Sequence, residues 1–156
     1  MCDRRSTTTA FDLAQRFVGM KEVPGSEHNS QIVAMLKLDV PWPEGDEVPW
    51  CAAFVNYVTW LLRLPRSKSL RARSWLLIGK AVPLTEARVG FDVVVLKRGR
   101  GSQPGPETIE APGHVGFYAG TDFDNDMVYV LGGNQGNAVN VRSYPFKLIL
   151  GIRRLV

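Results

Sequence analysis

The period of the apolar positions changes near residue 90. Before it, hydrophobic residues recur three and four apart, the spacing that lines one face of a helix. In "TTTAFDLAQRFVGMKEVPG" (7–25), Thr8 or Thr9 is placed to cap a helix with Phe11, Ala14 and Val18 on one face, ended by Pro24 and Gly25. A second short helix starts at Asn29 or Ser30 and presents Ile32, Met35 and Leu36. "DVPWPEGDEVP" (39–49) holds three prolines and a glycine, which predicts a loop with little freedom. In "VPWCAAFVNYV" (48–58), Pro49 suits a helix start, and Ala52, Val55, Val58 and then Leu62 fall on one stripe. The intervening positions are apolar too, so this helix is expected to be central and buried. "SLRARSWLLIGK" (69–80) predicts a fourth short helix with its basic residues outward.

From Gly90 onward the runs are short, rich in Val, Tyr and Phe, and separated by turn residues: "FDVVVLKR", "HVGFYAG", "MVYVLGG", "AVNVRSY" and "LILGIRRL". Short connections favour an antiparallel meander. The exception is "GRGSQPGPETIEAPG" (99–113), a Gly/Pro-rich connection long enough to suggest a functional loop. The pattern predicts one α+β domain over 10–156, helices first, packed on an antiparallel sheet of about five strands, behind a flexible N-terminus at 1–9.

Composition changes this picture little. The chain has 156 residues, 45% hydrophobic and 22% charged, which is enough for one real core and excludes a disordered chain. A formal charge of +4 favours loose attraction to anionic polymers without naming one. No run approaches a membrane span, so no stable membrane insertion is expected, and no secretory apolar region follows the N-terminal arginines. The expected product is soluble and made in the cytoplasm, with any export left to a partner. Cys2 and Cys51 are the two cysteines, and their spacing resembles no disulfide framework.

Three polar features need a chemical explanation. Cys51 falls in the first turn of the buried helix, where unpaired N–H groups and the helix dipole favour a thiolate and offer donors to an oxyanion. Free cysteine is also among the most buried residue types, so a structural role competes with this one. His114 follows Pro112-Gly113 and starts a strand, which puts it at a sheet end as a candidate base and then acid. His28, in the polar turn "GSEHNS", has no such setting. "LGGNQGN" offers Asn134 and Gln135 at the end of a strand, where a side-chain carbonyl accepts the His114 ring proton and fixes its tautomer. A glycine-rich turn accounts for the same residues.

A helix-start Cys, a strand-start His and an Asn on the next strand follow the chain order of papain-like hydrolases. With "KEVPG", "VPWCAAFVNYV", "GHVGFYAG" and "LGGNQGNAVNV" in order from Val18 onward, the sequence resembles the CHAP and NlpC-like cell-wall cysteine hydrolases, particularly a small phage and prophage branch. The resemblance implies peptidoglycan amide cleavage with Cys51 as nucleophile, His114 as base then acid, and Asn134 orienting His114. It implies an endolysin-type amidase or endopeptidase acting as a monomer, with a holin or another export route. Two departures stand out. Phe91-Asp92 replaces the Gly-Asp that opens the first strand in many relatives, and Leu131, Gly132 and Gly133 occupy the stretch where some carry a Glu.

Around this centre, Trp42, Trp50 and Gln135 are expected to bind substrate, and Glu47, one helical turn before Cys51, to tune the site. No metal or cofactor is expected. Calcium is weighed at "DFDND" (Asp122, Asp124, Asp126), which lacks the glycine and closing glutamate of a calcium loop, and at the acids of "PEGDE"; zinc is set aside because two histidines and one useful cysteine form no four-ligand cluster. The basic run "RLPRSKSLRARS" lacks interleaved aromatics, so nucleic acid is not an expected partner. Two rivals remain: another cysteine acyl-transfer enzyme, such as an interbacterial amidase toxin or a protein peptidase, and a non-catalytic wall-binding domain.

Overall fold

A computed structural model of the chain describes residues 7–156; Cys2 and most of the predicted N-terminal tail lie outside the described residues. Helix α1 spans Ala10–Gln15 and starts on a capping box, Thr9 accepting from the Asp12 N–H while the Asp12 carboxylate accepts from the Thr9 N–H. It is shorter than predicted. After Gln15 the chain makes tight three-residue turns, and Gly19, at φ 98°, diverts it so that Val139 donates to Met20 and Gly19 donates to Val139. Val18 is therefore exposed rather than on the buried face. Helix α2, Ser30–Leu36, is capped by Asn29 and buries Ile32, Met35 and Leu36 as predicted.

Helix α3, Cys51–Leu61, is the hub. Cys51 through Asn56, Val58 and Thr59 are all buried, so most of its circumference lies in the core. Phe54 meets Phe17 and Phe117 edge to face at 5.9 and 6.1 Å, tying α3 to the chain after α1 and to the sheet. The buried Asn56 donates to the Ser69 carbonyl at 2.9 Å, which fixes the segment that follows the helix. The segment read as a fourth helix is a 3-10 helix over Ala72–Leu77. Arg73 points inward from it, fully buried, contrary to the outward basic face expected.

The sheet has six antiparallel strands in the order β1-β6-β2-β3-β4-β5: Lys80–Val82, Asp92–Lys97, Gly113–Asp122, Met127–Gly132, Asn140–Pro145 and Ile149–Arg154 for β1 to β6. The short edge strand β1 was not legible as a separate run. Strands β2 to β5 form the expected meander, but β6 returns to lie between β1 and β2. Alternation sorts the side chains cleanly. Val93, Val95, Val115, Phe117 and Leu131 join the helices, while Val94, Leu96, Tyr118, Val128, Val130 and Ile152 form a smaller core on the other face. Asp92, at the start of β2, is buried and paired with Arg154 at 2.8 Å, so the departure at Phe91-Asp92 still anchors the sheet end.

Candidate active site

The start of α3 abuts the end of the sheet where β3 begins. Pro49 precedes Trp50, the residue before the helix, and Trp50 supplies no side-chain cap. The first-turn N–H groups, which have no intrahelical partner, are thus not claimed by a capping oxygen. Cys51 is a free thiol, 3% exposed, at one wall of a cavity of about 340 Å³ lined by Pro49, Leu70, Arg71, Arg98, Glu110 and Pro112 among others. Burial by itself raises the thiol. A hydrogen bond from His114, the charge on that ring, the Val115 N–H and the field of Arg98 outweigh it, and Cys51 lies below the ordinary thiol range.

His114, 5% exposed, faces a second cavity of about 300 Å³, lined by Lys97, Arg98, Asn134, Gln135, Arg142 and Tyr144 among others. Its Nε2 lies 2.9 Å from Gln135 Oε1. The orientation of that amide is fixed by its surroundings. Gln135 Nε2 lies 2.8 Å from the Asn140 carbonyl, 3.0 Å from Asn140 Oδ1 and 3.2 Å from the Val130 carbonyl, all acceptors. Its Oε1 must therefore face His114, and Nε2–H of the ring donates to it. The other ring nitrogen, Nδ1, is then the unprotonated one. Tyr144 O–H donates to the same Oε1 at 3.0 Å, and its ring lies 5.5 Å from the imidazole. Both lone pairs of the Gln135 carbonyl are used.

The structure thus brings Cys51 and His114 together and gives the hydrogen bond on the ring to Gln135, correcting the expectation that Asn134 makes it. Asn134 sits in the left-handed region at φ 56°, a turn conformation, and lines the cavity that His114 faces, while the hydrogen bond on the ring goes to its neighbour. Gln135, expected to bind substrate, is 2% exposed and holds His114 instead. Trp50 also departs from expectation: it is fully buried, donates Nε1–H to Glu22 at 2.9 Å, and packs under Gly133, so it offers no face to a substrate. Trp42 is 61% exposed on its loop and lines neither cavity. Glu47 faces His28 at 3.2 Å rather than Cys51.

Three residues not singled out in the sequence complete the surroundings. Tyr144 carries no local signal. Arg98 carries no local signal either: it follows the last residue of β2, and only the pairing of Leu96 with His114 brings that strand end to the site. Arg73 anchors the loop over residues 99–112. Its Nε donates to the Pro112 carbonyl at 2.9 Å, and Nη1 reaches the carbonyls of Gly105, Pro104 and Thr108 at 2.7, 3.0 and 3.2 Å. That loop rims the Cys51 cavity through Glu110, Ala111, Pro112 and Gly113.

The residues weighed for calcium are engaged locally. Asp122 accepts from the Asp124 and Asn125 N–H groups and closes the β3–β4 turn. His28, Asp46 and Glu47 form a cluster of metal-ligating types among the described residues, but Asp46 is buried and accepts from the N–H groups of Val23 and Asn29 and from His28. That cluster ties three loop segments together with its own hydrogen bonds.

The α+β fold, a buried helix packed on an antiparallel sheet, is consistent with an NlpC/papain-like fold. The structure of NlpC1 from Trichomonas vaginalis matches 97% of this chain at a TM-score of 0.55 and 16% sequence identity. The chain spans 46% of that protein's length, and the likeness is one of fold. No protein-family model matches the sequence, and no curated protein does.

Proposed function

We propose that this protein is a cysteine amidohydrolase that cleaves a peptidoglycan amide through an acyl-enzyme on Cys51. The observation that carries the reading is a helix-start thiol that His114 lowers, with the Nε2–H of that ring held by Gln135; in this reading the other ring nitrogen, Nδ1, serves Cys51. In the proposed reaction the Cys51 proton moves to His114 Nδ1, and the thiolate attacks the amide carbon. The first-turn N–H groups of α3, open because Trp50 does not cap them, hold the oxyanion. Collapse expels the amine, which takes its proton from His114. Water then gives its proton to the same nitrogen, attacks the thioester and releases a carboxylic acid and free Cys51.

The choice of peptidoglycan, the lysis setting and delivery from a bacterial cytoplasm rest on the sequence resemblance; the fold likeness to an NlpC protein supports the hydrolase class. The test is digestion of purified sacculi by wild type and by Cys51→Ala, with released fragments identified by mass spectrometry. Fragments from wild type alone are expected, and their new ends tell an amidase from an endopeptidase. Equal release by a folded Cys51→Ala protein, or none by wild type, would overturn the proposal.

A further inference from the structure

The two cavities that meet at Arg98 differ in charge. The one holding Cys51 is largely apolar, with Pro49, Leu70, Ala72, Ala111 and Pro112, and its second arginine, Arg71, is accompanied by Glu110. The one holding His114 gathers Lys97, Arg98 and Arg142 and no carboxylate. Among the described residues none of these three cations enters an ion pair. Arg142 is set there by the backbone: Gly136, at φ 63°, has no side chain, and a Cβ at that position would collide with the Arg142 guanidinium. The fields of Arg142 and Arg98 both reach the Tyr144 hydroxyl, which burial pushes up and these charges pull down. Three unpaired cations converging on a cavity beside a nucleophile form a site for an anion.

We infer that the His114-side cavity is a carboxylate subsite, in which Lys97, Arg98 and Arg142 hold an anionic group on the leaving-amine half of the substrate. The side follows from proton delivery. The acyl half stays on Cys51, near the first-turn N–H donors, whereas the departing amine must lie within reach of His114 to be protonated. This assignment of side rests on the proposed amide hydrolysis; the anion subsite itself does not.

The test therefore uses a readout that needs no substrate: alkylation of Cys51 by iodoacetate and by iodoacetamide, followed on the Cys51 peptide by mass spectrometry. The reagents deliver nearly the same group and differ in charge, so their rate ratio cancels any change in thiolate fraction. Arg98→Gln and Arg142→Gln are each expected to lower the iodoacetate-to-iodoacetamide ratio several-fold at low ionic strength, with the difference shrinking in salt. Arg71→Gln, with Glu110 in its own cavity, is expected to change the ratio less than twofold. Equal ratios in wild type, Arg98→Gln and Arg142→Gln would overturn the subsite, and so would an equal fall with Arg71→Gln, which would reflect net charge alone. The sacculus digest tests the side. A released amine fragment without a carboxylate on its amine-bearing residue would overturn the leaving-side assignment. A falling ratio with no Cys51-dependent wall cleavage would keep the anion subsite and remove the cell-wall reading and the side with it.

Discussion

Replacing Gln135 by Ala should disable Cys51, whereas replacing Asn134 by Ala should leave it almost untouched. In the native protein Gln135 Oε1 accepts from His114 Nε2 at 2.9 Å and from Tyr144 at 3.0 Å. When Cys51 and His114 exist as thiolate and imidazolium, the first of these becomes a hydrogen bond to a charged group, worth about 1.5–3 kcal/mol. Losing it should reduce the reactive ion pair about ten- to a hundredfold, since about 1.4 kcal/mol is a factor of ten. The assay is the iodoacetamide alkylation rate of Cys51 at pH 6, where an ordinary thiol is almost wholly protonated. Truncation also strands the carbonyls of Val130 and Asn140, so a stability loss of about 3 kcal/mol accompanies it, and Tm measured alongside checks that the rate is that of folded protein. Asn134→Ala places Ala at φ 56°, costing about 1 kcal/mol of stability and less than twofold in rate. Equal damage to the rate from both substitutions in folded protein, or a Gln135→Ala rate within twofold of wild type, would refute the reasoning.

Other consequences follow from the packing around the site. Arg73→Met removes four donor contacts from the loop that ends at His114 and should cost about 3 kcal/mol, a Tm fall of about 6–12 °C, with faster proteolysis between residues 99 and 112; Lys, lacking the planar fork, should not rescue it. Gly133→Ala puts a methyl within 2.6 Å of the Trp50 ring and 2.9 Å of Phe54 Cβ, and should cost about 2 kcal/mol while slowing Cys51 alkylation, read by melting and by mass spectrometry. Burial pushes the Asp46 carboxyl up, but the N–H groups of Asn29 and Val23 and the His28 ring hold it below the usual carboxylate range. Its contribution to stability is complete above the unfolded value near about 3.9 and is lost as pH falls through the lower folded value. Asp46→Asn should therefore lower stability at pH 7 and flatten its decline below pH 4, measured by denaturant titration across that range.

Much of the fold was legible because α3 and β2 to β6 carry strong local signals. Cys51 opens a helix whose residues are apolar on nearly every side, and the later runs are short, rich in Val, Tyr and Phe, and bounded by turn residues. What escaped depended on contacts distant in sequence. Val18 fits the stripe of α1, but Gly19 turns the chain toward Val139 before the stripe is used. The pattern "RARS" reads as a solvated face, yet Arg73 finds carbonyls more than thirty residues away. Asn134 and Gln135 are neighbours with the same functional group, and either suits the third position in sequence. The left-handed backbone at Asn134 and the acceptors on β4 and β5 settle which amide meets His114. Tyr144 was invisible for the same reason, since both its partners, the His114 ring and Gln135 Oε1, reach it only through the fold.

Helix α3 begins on a residue that cannot finish it. Trp50 spends its side chain in the core and on Glu22, so the helix lacks the polar cap that commonly adds about 1 kcal/mol. The resting molecule is therefore less stable than its sequence length and packing would permit, and the shortfall is located at the nucleophile. Any ligand that supplies an oxygen to those donors acts as the missing cap. Occupancy of the site and melting of the fold are consequently linked. A peptide aldehyde that adds to Cys51 should raise Tm through the helix start, beyond what its side-chain contacts contribute.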